Sequence, residues 1–218
     1  MKQLGILFML LYSTAILCQS AEEKLYLVKS RLDSIETFTA DIALHPDISF
    51  IKMPDKSAVA IFKKGEDVII TSEDFVLIPK RGLDVSFSEL FKYPYLVVDR
   101  GRVQGESSLL VAISILPQDN QADFSIANLH LDIEKNRITW AEINTKKDGS
   151  YTLELTYPDS NAILPTLLNV SFEMDRIRIP LSFAGNDVSI DRKKMREKKQ
   201  KTGKISIRLA YRSIEKTN

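Results

Sequence analysis

The chain has 218 residues, with 30 Lys and Arg against 29 Asp and Glu, so its formal net charge is only +1. A charge so close to zero gives no reason to expect a nucleic-acid partner, which would favour a strongly basic protein. The single cysteine, Cys18, excludes an intramolecular disulfide framework. A chain of this length can build one domain with a large core from packing alone.

The N-terminal segment has the layout of a secretory signal peptide. Lys2 precedes an apolar run over residues 4–17, and the small residue Ser20 follows. The run is shorter than the roughly 18 apolar residues expected of a membrane-spanning helix. We therefore expect residues 1–20 to be cleaved, and residues 21–218 to form a single periplasmic domain without a membrane-spanning segment.

Cys18 raises an alternative, in which this residue is acylated and anchors a lipoprotein to the outer membrane. Such sites need a small residue before the cysteine, whereas this chain has Leu17 there. Cleavage after Ser20, with Cys18 as the small residue two positions earlier, fits the rule for cleavage sites better. A periplasmic protein released from the membrane is the favoured prediction.

The segment from Glu22 to Ile35 predicts an amphipathic helix. Its apolar residues recur at steps of three and four, which places them along one helix face (Leu25, Val28, Leu32 and Ile35). Such a helix needs an apolar surface to pack against.

After this helix the apolar residues alternate with polar ones, which is typical of strands with one buried face. The alternation predicts strands over residues 37–44, 128–133, 151–157, 168–174, 177–183 and 205–211. Turn signals separate them, and Asp148-Gly149 is a strong hairpin signal. We expect a mainly β protein, in which a single antiparallel sheet of roughly ten strands forms a long meander and curls into an open half-barrel.

Two further segments carry surplus apolar surface. Strands between Ser57 and Pro79 are apolar on both faces, which predicts cover on both sides. The stretch from Asp84 to Lys92 predicts a short lid helix. We expect a cavity for an apolar ligand, lined by Leu25, Val28, Phe38, Ile42, Ile70, Phe75, Phe87, Phe91, Trp140 and Phe172. For any one aromatic residue of this set, a place in the core is the alternative.

Residues suited to catalysis or metal binding are scarce. His45 and His130 are the only histidines, and neither has a partner at metal-ligand spacing. No Gly-x-Ser-x-Gly, glycine-rich phosphate loop or His-Glu-x-x-His motif occurs. We predict a non-enzymatic protein without metal or cofactor. An enzyme of unrecognised type, with groups assembled from distant positions, is the alternative.

Positive charge is concentrated between Arg192 and Lys204, where eight basic residues and one acidic residue give the segment a charge of +7. The candidate residues for docking on an anionic membrane or an acidic partner are Arg192, Lys193, Lys194, Arg196, Lys198 and Lys199. A solvated loop before the last strand is the alternative, since charge runs are commonly of that kind.

The order of these elements resembles the LolA-type family of periplasmic lipoprotein carriers, in a divergent form common in Bacteroidetes-like bacteria. The resemblance is carried by residues 34–42 (Ser-Ile-Glu-Thr-Phe-Thr-Ala-Asp-Ile), 52–58 (Lys-Met-Pro-Asp-Lys-Ser-Ala) and 73–82 (Glu-Asp-Phe-Val-Leu-Ile-Pro-Lys-Arg-Gly), and more weakly by residues 203–211. It spans most of the chain, with loose motifs.

The resemblance implies an open half-barrel with helices over its mouth and a hydrophobic concavity for acyl chains. It implies lipids or lipoproteins as partners, received from an inner-membrane transporter and passed to an outer-membrane acceptor. Members of the family carry a lid-holding arginine on an early strand, whereas no arginine lies between Asp33 and Lys80 here. A periplasmic sensor or protein-interaction module of the same fold is the second hypothesis.

Overall fold

The computed structural model describes residues 20–66, 68–72, 87–103, 109–147, 149–174, 188–197 and 201–217. The predicted strand over residues 177–183 lies outside the described residues, as do Phe75, Lys198, Lys199 and nearly all of the predicted signal peptide.

The N-terminal helix α1 spans Ala21–Asp33, and Leu25 and Val28 are buried on one face as predicted. Ile35, predicted to be the last apolar residue of this helix, is instead the first residue of the strand that follows. Ser20 caps it, because its Oγ accepts the Glu23 N–H at 3.2 Å while the Glu23 carboxylate accepts the Ser20 N–H at 3.1 Å. This capping box satisfies two N–H groups that would otherwise lack partners. Cleavage directly after Ser20 would remove the cap.

The remaining elements are β1 Ile35–Asp47, β2 Ile51–Lys52, β3 Lys56–Lys63, β4 Ile69–Thr71, α2 Ser88–Phe91, β5 Tyr95–Arg102, β6 Leu110–Pro117, β7 Phe124–Asp132, β8 Arg137–Thr145, β9 Ser150–Thr156, β10 Leu167–Met174, β11 Ser189–Ile190, α3 Arg192–Glu197 and β12 Lys201–Lys216. Ten of the described strands form one open antiparallel sheet in the order β4-β3-β1-β12-β10-β9-β8-β7-β6-β5, and β2 pairs with β11 in a separate ribbon. The predicted mainly β class, with a single open sheet, an N-terminal helix and a short second helix, is confirmed.

The strand order departs from a simple meander at the end of the chain. Strands β5 to β10 follow one another, but the last strand β12 lies between β10 and β1. Phe38 of β1 lies opposite Ile214, and Ile42 lies opposite Leu209. The two ends of the described chain are therefore joined by one of the longest strand pairings in the sheet.

One face of the sheet, which we call the inner face, carries the buried apolar residues and the helix α1. Ile42 and Leu209 are 2% and 6% exposed there. On the opposite, outer face Ile69 is 52% exposed. The prediction that the strands between Ser57 and Pro79 are covered on both sides is therefore wrong at Ile69. An exposed edge strand, three residues long, tolerates an apolar side chain in water.

The basic segment is also not simply a loop. Arg192–Glu197 forms the short helix α3, and β12 begins at Lys201.

Candidate functional site

Helix α1 is held on the inner face by polar contacts near both of its ends. The Arg31 guanidinium donates hydrogen bonds to the carbonyl oxygen of Lys135 and, at 2.6 Å, to that of Asn161. Lys24 forms an ion pair of 3.6 Å with Asp99 of β5. Arg31 therefore ties α1 to the β7–β8 turn and to the β9–β10 connection, which makes α1 a fixed wall of the inner face.

A cluster of three aromatic side chains covers the part of the inner face formed by β1, β3 and β12. The Phe38 and Phe62 rings stack with centroids 5.0 Å apart, and the Tyr211 ring meets Phe38 edge-on at 5.5 Å. The Tyr211 hydroxyl donates to the Pro165 carbonyl oxygen at 2.8 Å. Burial raises the pKa of Tyr211, so the hydroxyl stays protonated and this hydrogen bond is kept throughout the physiological pH range.

The short helix α2 covers a second region of the inner face. Its flanking residue Phe87 and its Leu90 are each 4% exposed. Together with Phe124, Ile143 and Tyr151 they line a cavity of about 40 Å³. Typical ligand pockets measure about 300–1,000 Å³. The chain's own side chains therefore fill this region of the inner face.

Phe87 is held in an unfavourable backbone conformation at the start of α2. Its φ and ψ are 54° and 27°, in the left-handed region, which bulky residues rarely adopt. The conformation costs roughly 1–2 kcal/mol. Phe91, at the other end of α2, is half-buried, and its ring lies 5.9 Å from that of Tyr95. Burial of the Phe87 ring is what compensates for the strained backbone.

The structure brings most of the predicted lining residues to the inner side. Those that are buried there are Leu25, Val28, Phe38, Ile42, Phe87 and Phe172. Ile70 is half-buried and lies opposite Ala60, which is itself buried on the inner face. Phe75 lies outside the described residues, so its predicted role stays a prediction.

Trp140 lies on the outer face and does not line the inner one. It pairs with His130, and the two rings stack at 4.5 Å. The neighbouring pair, Ala141 and Leu129, is fully buried, and successive residues of a strand point to opposite faces. A bulge at Thr139 shifts the alternation of β8 relative to β7. This local irregularity has no signature in the hydrophobic pattern.

Two residues that cover the inner face were not among the predicted lining residues. Ile48 and Phe50, between β1 and β2, are 6% and 1% exposed. Ile48 packs with Phe172 over Gly203 of β12, where a Cβ would lie within 3.0 Å of both side chains. Neither Ile48 nor Phe50 belongs to an alternating run. By contrast, Ile143 lies between the polar residues Glu142 and Asn144 in an alternating run and could have been found from that signal.

A groove of about 1,090 Å³ lies on the outer face, between β4 and the β9–β10 connection. Its lining includes Ser57, Thr71, Thr156, Asp41 and Arg208. Asp41 is bound by Arg212, and this hydrogen-bonded guanidinium lowers the pKa of the Asp41 carboxyl. The groove is larger than the inner cavity and also has apolar lining residues, among them Val59, Leu167 and Ala210, but it is open to solvent and would bury an apolar ligand only in part. We therefore place the candidate site on the inner face.

His45 lies beside a carboxylate at the protein surface. The His45 Nδ1 lies 2.6 Å from the Asp55 carboxylate, and both side chains are exposed. Across the described ranges, no group of three His, Cys, Asp or Glu residues is placed to hold a metal ion. In the same part of the chain, no helix has the length and apolar character needed to cross a membrane.

No family model matches the sequence, and no curated protein matches it. Similar solved structures include a LolA superfamily protein from Nitrosomonas europaea, with 9% identity and a TM-score of 0.49 over 92% of this chain and 95% of that one. A putative outer membrane lipoprotein-sorting protein domain from Vibrio parahaemolyticus has 9% identity and a TM-score of 0.47, with 89% and 94% covered. A DUF1329 family protein from Desulfovibrio piger has 9% identity and a TM-score of 0.46, with 90% and 92% covered.

Proposed function

We propose that this protein is a periplasmic carrier that holds the acyl chain of a lipid or lipoprotein on the inner face, beneath α2. The observation that carries the proposal is the way α2 covers this face. It is anchored by two apolar side chains, Phe87 and Leu90, and it starts from a strained backbone. A cover of that kind can be exchanged for another apolar group of similar size.

The energies favour such an exchange. Moving α2 away would expose Phe87 and Leu90 at a cost of roughly 3–6 kcal/mol, at about 1.5–3 kcal/mol each. Relief of the left-handed conformation at Phe87 would return about 1–2 kcal/mol. Burial of an acyl segment of similar size to the two side chains, about ten carbons, would contribute roughly 8 kcal/mol, at ~0.8 kcal/mol for each CH₂. The acyl chain therefore outcompetes α2, and α2 can displace it again once a membrane or acceptor offers the chain another apolar site.

The fixed position of α1 decides where the ligand enters. Arg31 and Lys24 hold α1 by charge-assisted contacts, so Leu25 and Val28 remain part of the wall while α2 moves. An acyl chain that enters beside α2 reaches the part of the inner face formed by Phe124 and the neighbouring strands. Both uptake from an inner-membrane transporter and release to an outer-membrane acceptor would use this opening beside α2.

The proposal is tested by measuring the affinity of an acyl-chain fluorophore for the variant Leu90→Ala. Truncation of Leu90 weakens the anchor of α2, so we expect affinity to rise roughly 10- to 100-fold, which corresponds to about 1.5–3 kcal/mol. The matched control is Lys92→Ala, because Lys92 directly follows the same helix, its side chain is 55% exposed, and it does not line the cavity beneath α2. This variant should bind like the original chain.

Mass spectrometry of the natively purified protein should also detect a co-purifying lipid. Absence of lipid, together with no fluorophore binding by either the original chain or Leu90→Ala, would contradict the carrier function. A loss of binding in Leu90→Ala would show that Leu90 belongs to the core and does not gate the site.

One observation favours a second candidate, a periplasmic sensor or protein-interaction module. The inner cavity beneath α2 measures only about 40 Å³, which fits a permanently packed face. Under this alternative the protein would bind no acyl fluorophore, and truncation of Leu90 would only lower the free energy of unfolding.

A further inference from the structure

The short helix α3 presents its positive charges to solvent. Its four basic side chains, Arg192, Lys193, Lys194 and Arg196, are all exposed, while Met195 is half-buried against the core. We propose that these four residues, which we call the basic patch, dock the protein on an anionic lipid surface. Met195 faces inward and so leaves the cations on the side available to a membrane.

The basic patch is little neutralised by the chain itself. Lys194 lies 4.0 Å from Asp191, and both side chains are largely exposed. For Arg192, Lys193 and Arg196, the described part of the chain supplies no hydrogen bond or ion pair. Residues 192–204 carry +7 in a chain whose net charge is +1, so the rest of the chain carries −6. This separation of charge orients the molecule toward an anionic surface.

The basic patch sits beside the covered end of the inner face. The Asp191 N–H, directly before α3, donates to the Phe50 carbonyl oxygen at 2.9 Å. In the ribbon below, Ile190 lies opposite Ile51. Phe50 is 1% exposed, so α3 is built on the apolar residues that close this end of the sheet. If the proposed carrier function holds, docking would bring the inner face next to the lipid that it exchanges.

An anionic membrane fits this surface better than a shaped acidic site on a protein. A site for an acidic peptide usually holds its cations in fixed positions by hydrogen bonds within the protein, whereas three of the four cations here have none in the described residues. Exposed lysines and arginines on a short helix match a diffuse negative surface. Half-buried Met53 and exposed Pro54, which follow β2, offer uncharged surface near the same ribbon.

The test is co-sedimentation with vesicles of phosphatidylglycerol and phosphatidylcholine, compared with vesicles of phosphatidylcholine alone. We expect binding to the anionic vesicles only, and weaker binding at high NaCl concentration, because salt screens exposed charges. Each cation contributes roughly a fivefold change in affinity near an anionic surface, so loss of all four should weaken binding several-hundred-fold.

The test variant replaces the whole basic patch: Arg192→Gln, Lys193→Gln, Lys194→Gln and Arg196→Gln. The matched control removes four exposed basic residues elsewhere: Lys63→Gln, Arg102→Gln, Lys147→Gln and Lys216→Gln. Both variants lose the same net charge, so only a local docking surface separates them. We expect the control to keep vesicle binding and the patch variant to lose it, with unchanged circular dichroism for both.

Equal losses in the two variants would overturn the proposal, because binding would then follow net charge alone. Salt-insensitive binding, or binding of poly-glutamate without binding of anionic vesicles, would overturn it too. The acyl-fluorophore assay in solution separates this proposal from the carrier function. The patch variant should keep its affinity for the fluorophore, whereas a failed carrier function would abolish fluorophore binding and leave vesicle docking intact.

Discussion

Gly203 of β12 lies beside two packed side chains, those of Phe172 on the neighbouring strand β10 and of Ile48 in the segment that covers the inner face. A Cβ atom at this position would lie 2.5 Å from Cζ of Phe172 and 2.8 Å from Cγ1 of Ile48. Both side chains are buried, at 8% and 6% exposure, so neither has open space into which it can move. Replacement of Gly203 by alanine therefore forces two packed side chains apart.

The expected loss of stability follows from two opposing effects. Overpacking of a core costs about 1–3 kcal/mol. Alanine reduces the freedom of the unfolded chain and returns about 0.4–1 kcal/mol. Gly203→Ala should therefore lower the free energy of unfolding by about 1–2 kcal/mol. With a urea m-value of about 2 kcal/mol/M, the unfolding midpoint should fall by roughly 0.5–1 M.

A double-mutant cycle with Phe172→Leu isolates the clash. Leucine lacks the ring tip that meets the added methyl group, so Gly203→Ala should cost less in the Phe172→Leu background than in the original chain, with a coupling energy of about 0.5–1.5 kcal/mol. Thr202→Ala is the control, because Thr202 is adjacent and exposed and should change the midpoint little. A neutral Gly203→Ala variant, or strictly additive effects, would refute the close packing of Phe172 on β12.

Two further predictions concern the polar contacts of α1 and β1. Arg31→Met keeps a long side chain but removes the donor to two loop carbonyls. It should therefore lower the free energy of unfolding by about 1–3 kcal/mol. A urea midpoint equal to that of the original chain would contradict the role of Arg31 as an anchor. Hydrogen bonds from Thr217 lower the pKa of Glu36, and those from Arg212 lower the pKa of Asp41, from ordinary values of 4.5 and 3.8. The stabilising contribution of the two carboxylates is present above these pKa values and is lost as pH falls below them. The urea midpoint of the double variant Glu36→Gln and Asp41→Asn should therefore fall less steeply with acid than that of the original chain. Parallel pH profiles would show that the two carboxylates are not linked to folding.

Local periodicity in the sequence was sufficient to assign most residues to a face of the sheet. Phe38, Ile42 and Phe172 were expected on the buried side because each alternates with polar neighbours, and the structure places all three there. The alternation of a strand is a property of its own backbone, so no knowledge of its neighbours is needed. The same reasoning located α1 through the three- and four-residue spacing of Leu25 and Val28.

The face of the sheet on which Trp140 lies cannot be predicted from its own strand. The bulge at Thr139 interrupts the alternation of β8, and the bulge depends on how β8 pairs with β7. Pairing is a relation between two strands and is invisible in either one alone. The insertion of β12 between β10 and β1 is of the same kind, since the sequence shows which face each strand buries but not which strand lies beside it.

The sequence alone determined that this chain builds a sheet with an apolar face and two helices able to cover it, because those properties follow from spacing along the backbone. The tertiary structure decided what lies on that face. Phe50 reaches it from outside any periodic run, and Phe87 does so by adopting a left-handed backbone. Both depend on the space left between elements distant in sequence, and that space exists only once the chain has folded.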